Sequence, residues 1–404
     1  MDSSYEIAVV GGGIIGMSFA MQAAAAFPGS RLIVLEKEAG LARHQTGHNS
    51  GVIHSGVYYK PGSLKAKLCV AGAREMIQFC SKNDISYEIC GKLIVATNEA
   101  EAARLDLLLA GGEANGLREL RVLDHAAMRE IEPHVGGVRA LHVPSTGITD
   151  YSEVTAKYAA IARSNGVEIK TGAHVTGFKS AGSEVVVKTS VGDFAASFVV
   201  NCAGLYSDRI ARMAGHEPGV MIIPFRGEYF DLARSRKELV RGLIYPLPDP
   251  AYPFLGVHFT KRIHGNVDAG PNAVLAFRRE GYRRTNFNFG EAMEIFGYSG
   301  FRAMAGKHWK NGLSELRRSW RKKEFVRSCQ ALVPEVQMED LSPGGSGVRA
   351  QAVAADGSLV DDFRFVGKDR FLHVLNVPSP AATASLPIGR EIIARVKEQR
   401  GDSH

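Results

Sequence analysis

The chain has 404 residues and only five cysteines, at positions 69, 80, 90, 202 and 329. Their number is odd and no pair has C-x-x-C spacing, which argues against a disulfide framework and a metal site and fits a reducing compartment, the cytoplasm. No apolar run is long enough to span a bilayer. The first strand pattern begins almost at the N-terminus, so no signal or transit peptide is expected. There is no arginine-rich tail, no zinc spacing and no basic stripe interleaved with aromatics, so nucleic acid is not an expected partner despite the net charge of +7. No internal repeat or low-complexity segment is present. What remains is ordinary globular composition, 45% hydrophobic and 23% charged, in a chain long enough for two domains.

The organising stretch is Ile7 to Lys37. Ile7 to Val10 is a short apolar run suited to a buried parallel strand. Gly11, Gly13 and Gly16 follow at G-x-G-x-x-G spacing, with Ile14 and Ile15 opening a helix. Gly11 makes the tight turn, Gly13 lets backbone approach a pyrophosphate, and Gly16 lets helix pack on strand. N–H groups at the helix N-terminus face the anion. Arg31 to Leu35 reads as the second strand, and Glu36 at its end, twenty residues past Gly16, suits a ribose hydroxyl pair. The pattern identifies a dinucleotide site but leaves NAD and FAD open.

Thr46 to Gly56 reads as a polar, glycine-bearing loop entering a helix that buries Leu64, Leu68, Gly72, Met76, Phe79 and Cys80. Strand is expected over 87–96 with a turn at Cys90 to Lys92, helix over 99–116 and 124–132, and helix again from Asp150 to Asn165, stopped by Gly166. Strands are expected at 167–171, 175–179, 184–189 and 198–200, then at 222–231, 242–246, 255–260 and 273–277, and finally at 370–377. Residues 287–325 gather aromatic and basic side chains, with Leu313, Leu316 and Trp320 on one helical face. That segment reads either as a membrane-surface element or as an amphipathic helix capping the second domain. The expected organisation is α/β. A Rossmann-type domain of residues 1–84, 146–218 and 342–404 carries the dinucleotide. Residues 85–145 and 219–341 form a second, α+β substrate domain on an antiparallel sheet.

Several blocks carry a resemblance across nearly the whole chain: GGGIIG, HQTGHNSGVIHSGVYYKPGSLKAKLC, VNCAGLYSD, IPFRGEYF, PFLGVHFT, SGVRAQ and NVPSPAATASLPIG. The sequence resembles the FAD-dependent oxidoreductases of the D-amino-acid oxidase superfamily, and more narrowly the L-2-hydroxyglutarate dehydrogenase (oxidase) family. The resemblance implies FAD, and oxidation of L-2-hydroxyglutarate to 2-oxoglutarate by hydride transfer from C2 to flavin N5. Electrons would pass to a quinone, another acceptor or oxygen. A membrane quinone would favour a cytoplasmic protein lying peripherally on the inner face of the membrane, with contact through about 287–325. The alternatives are a related amino-acid oxidase, a glycerol-3-phosphate-type dehydrogenase, or a non-catalytic assembly factor that binds FAD.

The family pattern implies residue roles. Lys37, Arg43 and His44 line the adenine side, and Ser50, Gly51 and Val52 the flavin region. Val175 joins the cofactor contacts, and Ala203 and Gly204 end a strand under FAD. Ser379, Pro380, Ala381, Ala382 and Thr383 lead into a helix whose N-terminus faces the flavin pyrimidine, where reduced flavin gathers negative charge. His48 is read as a hydrogen-bonded loop histidine rather than a covalent tether. Arg349 is the expected carboxylate clamp, because a guanidinium fork matches a carboxylate. His258 is the expected general base, with His54 competing. The second carboxylate needs another cationic or hydroxyl partner, and Tyr58, Lys65, Arg226, Lys261 and Arg262 are the candidates. Lys261 enters because HFTKR departs from the expected arginine directly after threonine.

Overall fold

The structure, a computed structural model, describes residues 4–248 and 256–401. Five parallel strands form the centre of an eight-stranded sheet, in the order Glu168–Lys170, Leu32–Leu35, Tyr5–Val10, Gly192–Asn201, Phe371–Asn376. They are apolar along their length because both faces are covered. Ile7 and Val9 face the helices Ile14–Ala26, Tyr151–Ser164 and Ser385–Arg400, while Ala8 and Val10 pack on Val175, Val185 and Val187 from the other side. Gly192–Asn201 is longer than its apolar core 198–200. Its first half pairs antiparallel with Glu184–Thr189, and its second half with Tyr5–Val10 and Phe371–Asn376.

The second sheet has nine strands. Val220–Leu232 is its spine, flanked by Val267–Gly270 and Val274–Leu275 on one edge and by Leu341–Ala354 on the other. The sheet runs on through His258–Lys261, Leu243–Pro246, Lys92–Ala96, Arg139–Val143 and Arg121–Asp124. It is antiparallel except that Leu243–Pro246 runs parallel to Lys92–Ala96, a departure from the purely antiparallel expectation. A three-stranded ribbon of Val52–Ile53, Gly147–Thr149 and Tyr87–Glu88 lies where the chain passes between the sheets.

Other expectations are corrected. The return to the first sheet falls after Ala354, not at 342, because Leu341–Ala354 satisfies the free edge of Val220–Leu232 from Leu232↔Leu341 to Val220↔Ala354. The helix expected over 99–116 is broken into Glu99–Ala102 and Leu105–Ala114. The helix Leu64–Lys82 buries Ala66, Cys69, Gly72, Ala73, Met76 and Cys80, and leaves Leu64, Leu68 and Phe79 half-buried. Residues 287–325 fall on three helices, Phe289–Gly297, Ser299–Trp320 and Lys322–Gln330. The face assigned to Leu313, Leu316 and Trp320 lies outside the described side chains, and Leu255, the expected start of the strand His258–Lys261, lies outside the described residues. No helix among the described residues is long and apolar enough to cross a membrane.

Candidate active site

One cleft of about 1180 Å³ runs from the carboxyl ends of the parallel strands to the second sheet. At one end the chain leaves Val10 and turns through Gly11 with φ +113°. A Cβ on Gly16 would stand 2.1 Å from the Gly11 carbonyl oxygen, so only glycine lets the helix start this close to the strand. Glu36 is pinned across this turn: its carboxylate accepts from Gly12 N–H at 2.7 Å and from Glu38 N–H at 2.9 Å. Thr46 accepts from Ile14 N–H at 3.0 Å and so fixes the loop against the helix N-terminus. Gly11, Gly13, Ile14, Ile15 and Glu36 line the cleft; Gly16 supports it from behind.

Lys37, Arg43 and His44 also line it, with a cluster of their own. The Lys37 ammonium is held by Glu38 and Glu280, and His44 contacts Glu38 at 3.0 Å and the Tyr282 hydroxyl at 3.3 Å. Burial opposes the Lys37 charge, but the two carboxylates outweigh it and raise its pKa. Lys37 thus fastens the first sheet's strand end to Glu280 rather than standing as an uncommitted cation. His48 Nδ1 donates to the Ser346 carbonyl at 3.0 Å and its ring stacks on Tyr282 at 4.2 Å.

Further along, Ser50, Val52, Val175, Ala203 and Gly204 line the cleft. Gly51 does not: its φ of +71° and a virtual Cβ 2.6 Å from the Thr149 carbonyl show a turn wedged against the three-stranded ribbon. The segment Ser379–Thr383 reaches the cleft from the far end of the chain. Thr383 Oγ1 accepts from His54 N–H at 3.1 Å, donates to the Val52 carbonyl at 3.2 Å and meets the Tyr151 hydroxyl at 2.9 Å. The helix itself begins only at Ser385, so these residues form the turn before it.

At the second sheet, His54, Tyr58, Lys65, His258 and Arg349 converge on the same cleft. His258 donates from Nδ1 to the Gly256 carbonyl at 2.9 Å, which leaves the lone pair on Nε2, and its ring packs tilted against that of Tyr245 with centroids 3.9 Å apart. Burial, then the positive charges of Arg349 and Lys92, hold its pKa down at about 3. Burial does the same to His54, with Lys92 and His258 adding, also to about 3. Both are neutral at physiological pH, whereas the sequence suggested an imidazole titrating near neutrality. Lys65 donates to the Asp361 carbonyl at 3.1 Å at the edge of the cleft.

Three expected cations are not brought to the cleft. Arg226 is spent on Glu228, whose carboxyl also takes Arg284, Ser319 and Asn272; burial opposes its charge, but these bonds pull its pKa down to about 2. Lys261 pairs with Glu88 at 2.6 Å. Arg262 donates to the Asn49 carbonyl and lies 3.5 Å from Asp268. Sequence reasoning missed Tyr59, Tyr151, Tyr229 and Tyr245 along the cleft, and Lys92 beneath it. The tyrosines carry no spacing signal, because they arrive from four separate segments.

The parallel sheet with its glycine turn, joined by a long cleft to a second sheet, is the architecture of a dinucleotide-dependent oxidoreductase. The FAD dependent oxidoreductase family profile matches residues 6–395, and the chain belongs to that family. Within it, the chain is 49% identical over 394 residues to the L-2-hydroxyglutarate dehydrogenase of Escherichia coli strain K12, covering 97% of this chain and 93% of that one. It is 44% identical over 414 residues to the mitochondrial L-2-hydroxyglutarate dehydrogenase of Homo sapiens, covering 98% and 89%. Among solved structures, the L-alpha-glycerophosphate oxidase of Mycoplasma pneumoniae with FAD bound superposes with TM-score 0.81 at 22% identity, covering 98% of this chain and 95% of that one. Glycine oxidase of Geobacillus kaustophilus follows with TM-score 0.73 at 19% identity, covering 98% and 95%. These two share the fold.

The cleft fits FAD on its own terms. Its lining runs from the glycine turn past the Ser379–Thr383 turn to the second sheet, and at the turn a Cβ on Gly11 or Gly16 would meet backbone, so backbone there is open to a close-packed ligand.

Proposed function

We infer that the chain is an FAD-dependent dehydrogenase that oxidises L-2-hydroxyglutarate to 2-oxoglutarate. The observation that carries this is near full-length identity of 49% to a protein of that activity, in a chain whose cleft gathers His54, His258 and Arg349 opposite a dinucleotide turn. When bound, FAD supplies the two-electron acceptor. The glycine turn and Glu36 would hold its adenosine and pyrophosphate, and the Ser379–Thr383 turn its ring end.

The chain's own residues would do the rest. Arg349 grips the carboxylate next to the reacting carbon. His258 presents Nε2 as acceptor for the hydroxyl proton, its tautomer fixed by Gly256. An arriving anion offsets the field of Arg349 and Lys92 and moves the imidazole pKa back up, so the base strengthens as substrate binds.

The electron acceptor is a quinone in this reading, reached from a peripheral position on the cytoplasmic face of the membrane. Phe287, Phe289, Met293, Phe296 and Trp309 stand exposed on and beside the helices Phe289–Gly297 and Ser299–Trp320, near Arg302 and Lys307, which supports such a contact.

The test is anaerobic mixing of the yellow holoprotein with each enantiomer of 2-hydroxyglutarate. Loss of flavin absorbance with the L form alone is expected. Bleaching by neither would remove the substrate, and amino acids and glycerol 3-phosphate would be tried next. Replacement Arg349→Met should keep the flavin and slow its reduction by about 10²- to 10³-fold.

A further inference from the structure

Lys92 opens the apolar strand Lys92–Ala96, and its side chain is 2% exposed. Its ammonium has no hydrogen-bond partner among the described residues. It lies 4.7 Å from the ring centre of Tyr58 and 4.9 Å from that of Tyr245. Both rings line the cleft beside His54 and His258. The Tyr58 hydroxyl, also buried, likewise has no partner among the described residues.

A buried cation without an anion is destabilising, and a leucine or methionine would serve the strand better. The neighbouring cations are treated differently. Arg226 has Glu228, Lys261 has Glu88 and Arg262 has Asp268. Lys65, at the edge, has Asp361 and Asp362 within its field. Lys92 has aromatic faces, which hold an ammonium without neutralising it. Burial lowers its pKa to about 8, opposed by the thiols Cys69 and Cys90 and by no carboxylate among the described residues, so it stays mostly charged at neutral pH.

We propose that Lys92 is the counter-charge that selects the distal carboxylate of the substrate, a positioning residue that acts on the cleft across the rings of Tyr58 and Tyr245. This rests on the reading of the substrate as a 2-hydroxy dicarboxylate. The rings exclude water from the ammonium, so its field reaches the cleft with little screening. A carboxylate at the far end of the substrate completes the missing pair. A methyl group there leaves the charge uncompensated, which is how a site rejects an analogue of the same length.

The test compares holoenzymes of the wild type, Lys92→Met and Lys92→Arg on L-2-hydroxyglutarate and on L-2-hydroxyvalerate, which carries a methyl in place of the distal carboxylate. For Lys92→Met, KM for the diacid should rise on the order of tenfold or more, with little change in kcat. KM for the monoacid should stay or fall, and Lys92→Arg should recover most of the diacid preference. Equal changes for both substrates, or an unchanged diacid KM, would overturn the proposal. Should Lys92→Met fail to load flavin, the wild type carries the test through perturbation of its flavin spectrum by glutarate and by valerate at about 50 and about 500 mM salt. A buried charge keeps the glutarate preference at high salt; its disappearance there would sink the idea. If L-2-hydroxyglutarate does not reduce the wild-type flavin, the functional reading fails by itself, while the glutarate comparison still judges Lys92.

Discussion

At the first sheet, the Glu36 carboxylate is met by two backbone N–H groups and the Lys37 ammonium by two carboxylates. At the second, Glu228 draws in two arginines while Lys92, a few strands away, has no hydrogen-bonded anion among the described residues. The first region presents backbone shape and holds the charges of Glu36 and Lys37 within the protein. In the proposed reading the second receives a charged guest, its charge balance left open at Lys92 among the described residues. A cofactor that stays wants the first arrangement; a substrate that must come and go, and be told from its analogues, wants the second.

The contrast can be broken most forcefully at the turn. Gly16→Ala places a Cβ against the Gly11 carbonyl, so flavin content should fall close to zero; a variant purified with its visible absorbance intact would show that the turn is not shape-limited. Acid acts next. His54 and His258 are held near 3 and His373 near 4, each lowered first by burial, against an ordinary 6.5. The unfolded chain therefore binds more protons in this window, so stability is full above about 6.5 and is lost as pH falls toward 4 and then 3. Thermal melts between neutral pH and pH 4 should show a steady fall in Tm, and a flat profile would contradict burial of these rings. Glu228, depressed to about 2, acts in the same direction at lower pH. Smaller again is Arg226→Met. It should cost about 2 kcal/mol of stability, since Glu228 keeps Arg284, Ser319 and Asn272, and leave KM unchanged. A raised KM would return Arg226 to the substrate. Least of all, Lys261→Ala should cost below about 1 kcal/mol, because its pair with Glu88 is part-exposed, with no kinetic effect in the same assay.

What could be read from the chain follows the same division. Gly11, Gly16 and Glu36 were legible because close backbone approach admits few residue types, and their spacing is local. The fate of Lys261 was not, since its partner Glu88 lies 173 residues away. Nor could the pattern show that Leu341–Ala354 would complete the edge of Val220–Leu232, which moved it from one sheet to the other. Lys92 was passed over because Cys90 to Lys92 reads as a turn, where a lysine is expected to meet water. The strands Leu243–Pro246 and Arg139–Val143 on either side of it, with Tyr245 from the first and Tyr58 from a separate loop, take it out of water.

The Ser379–Thr383 turn also sets an order of events. Ser18, on the first helix, bonds the Ser385 carbonyl across 367 residues of chain, and Thr383 bonds His54 and Val52 nearby. At ribosomal speeds of about 5–20 residues per second, the opening helix waits roughly 20–70 s for the segment that closes over it. During that interval Met17, Phe19 and Ala20, fully buried in the finished protein, lack part of their cover. Flavin capture is thus a late event, and until the Ser385 segment is made the nascent chain carries its glycine-turn helix incompletely covered.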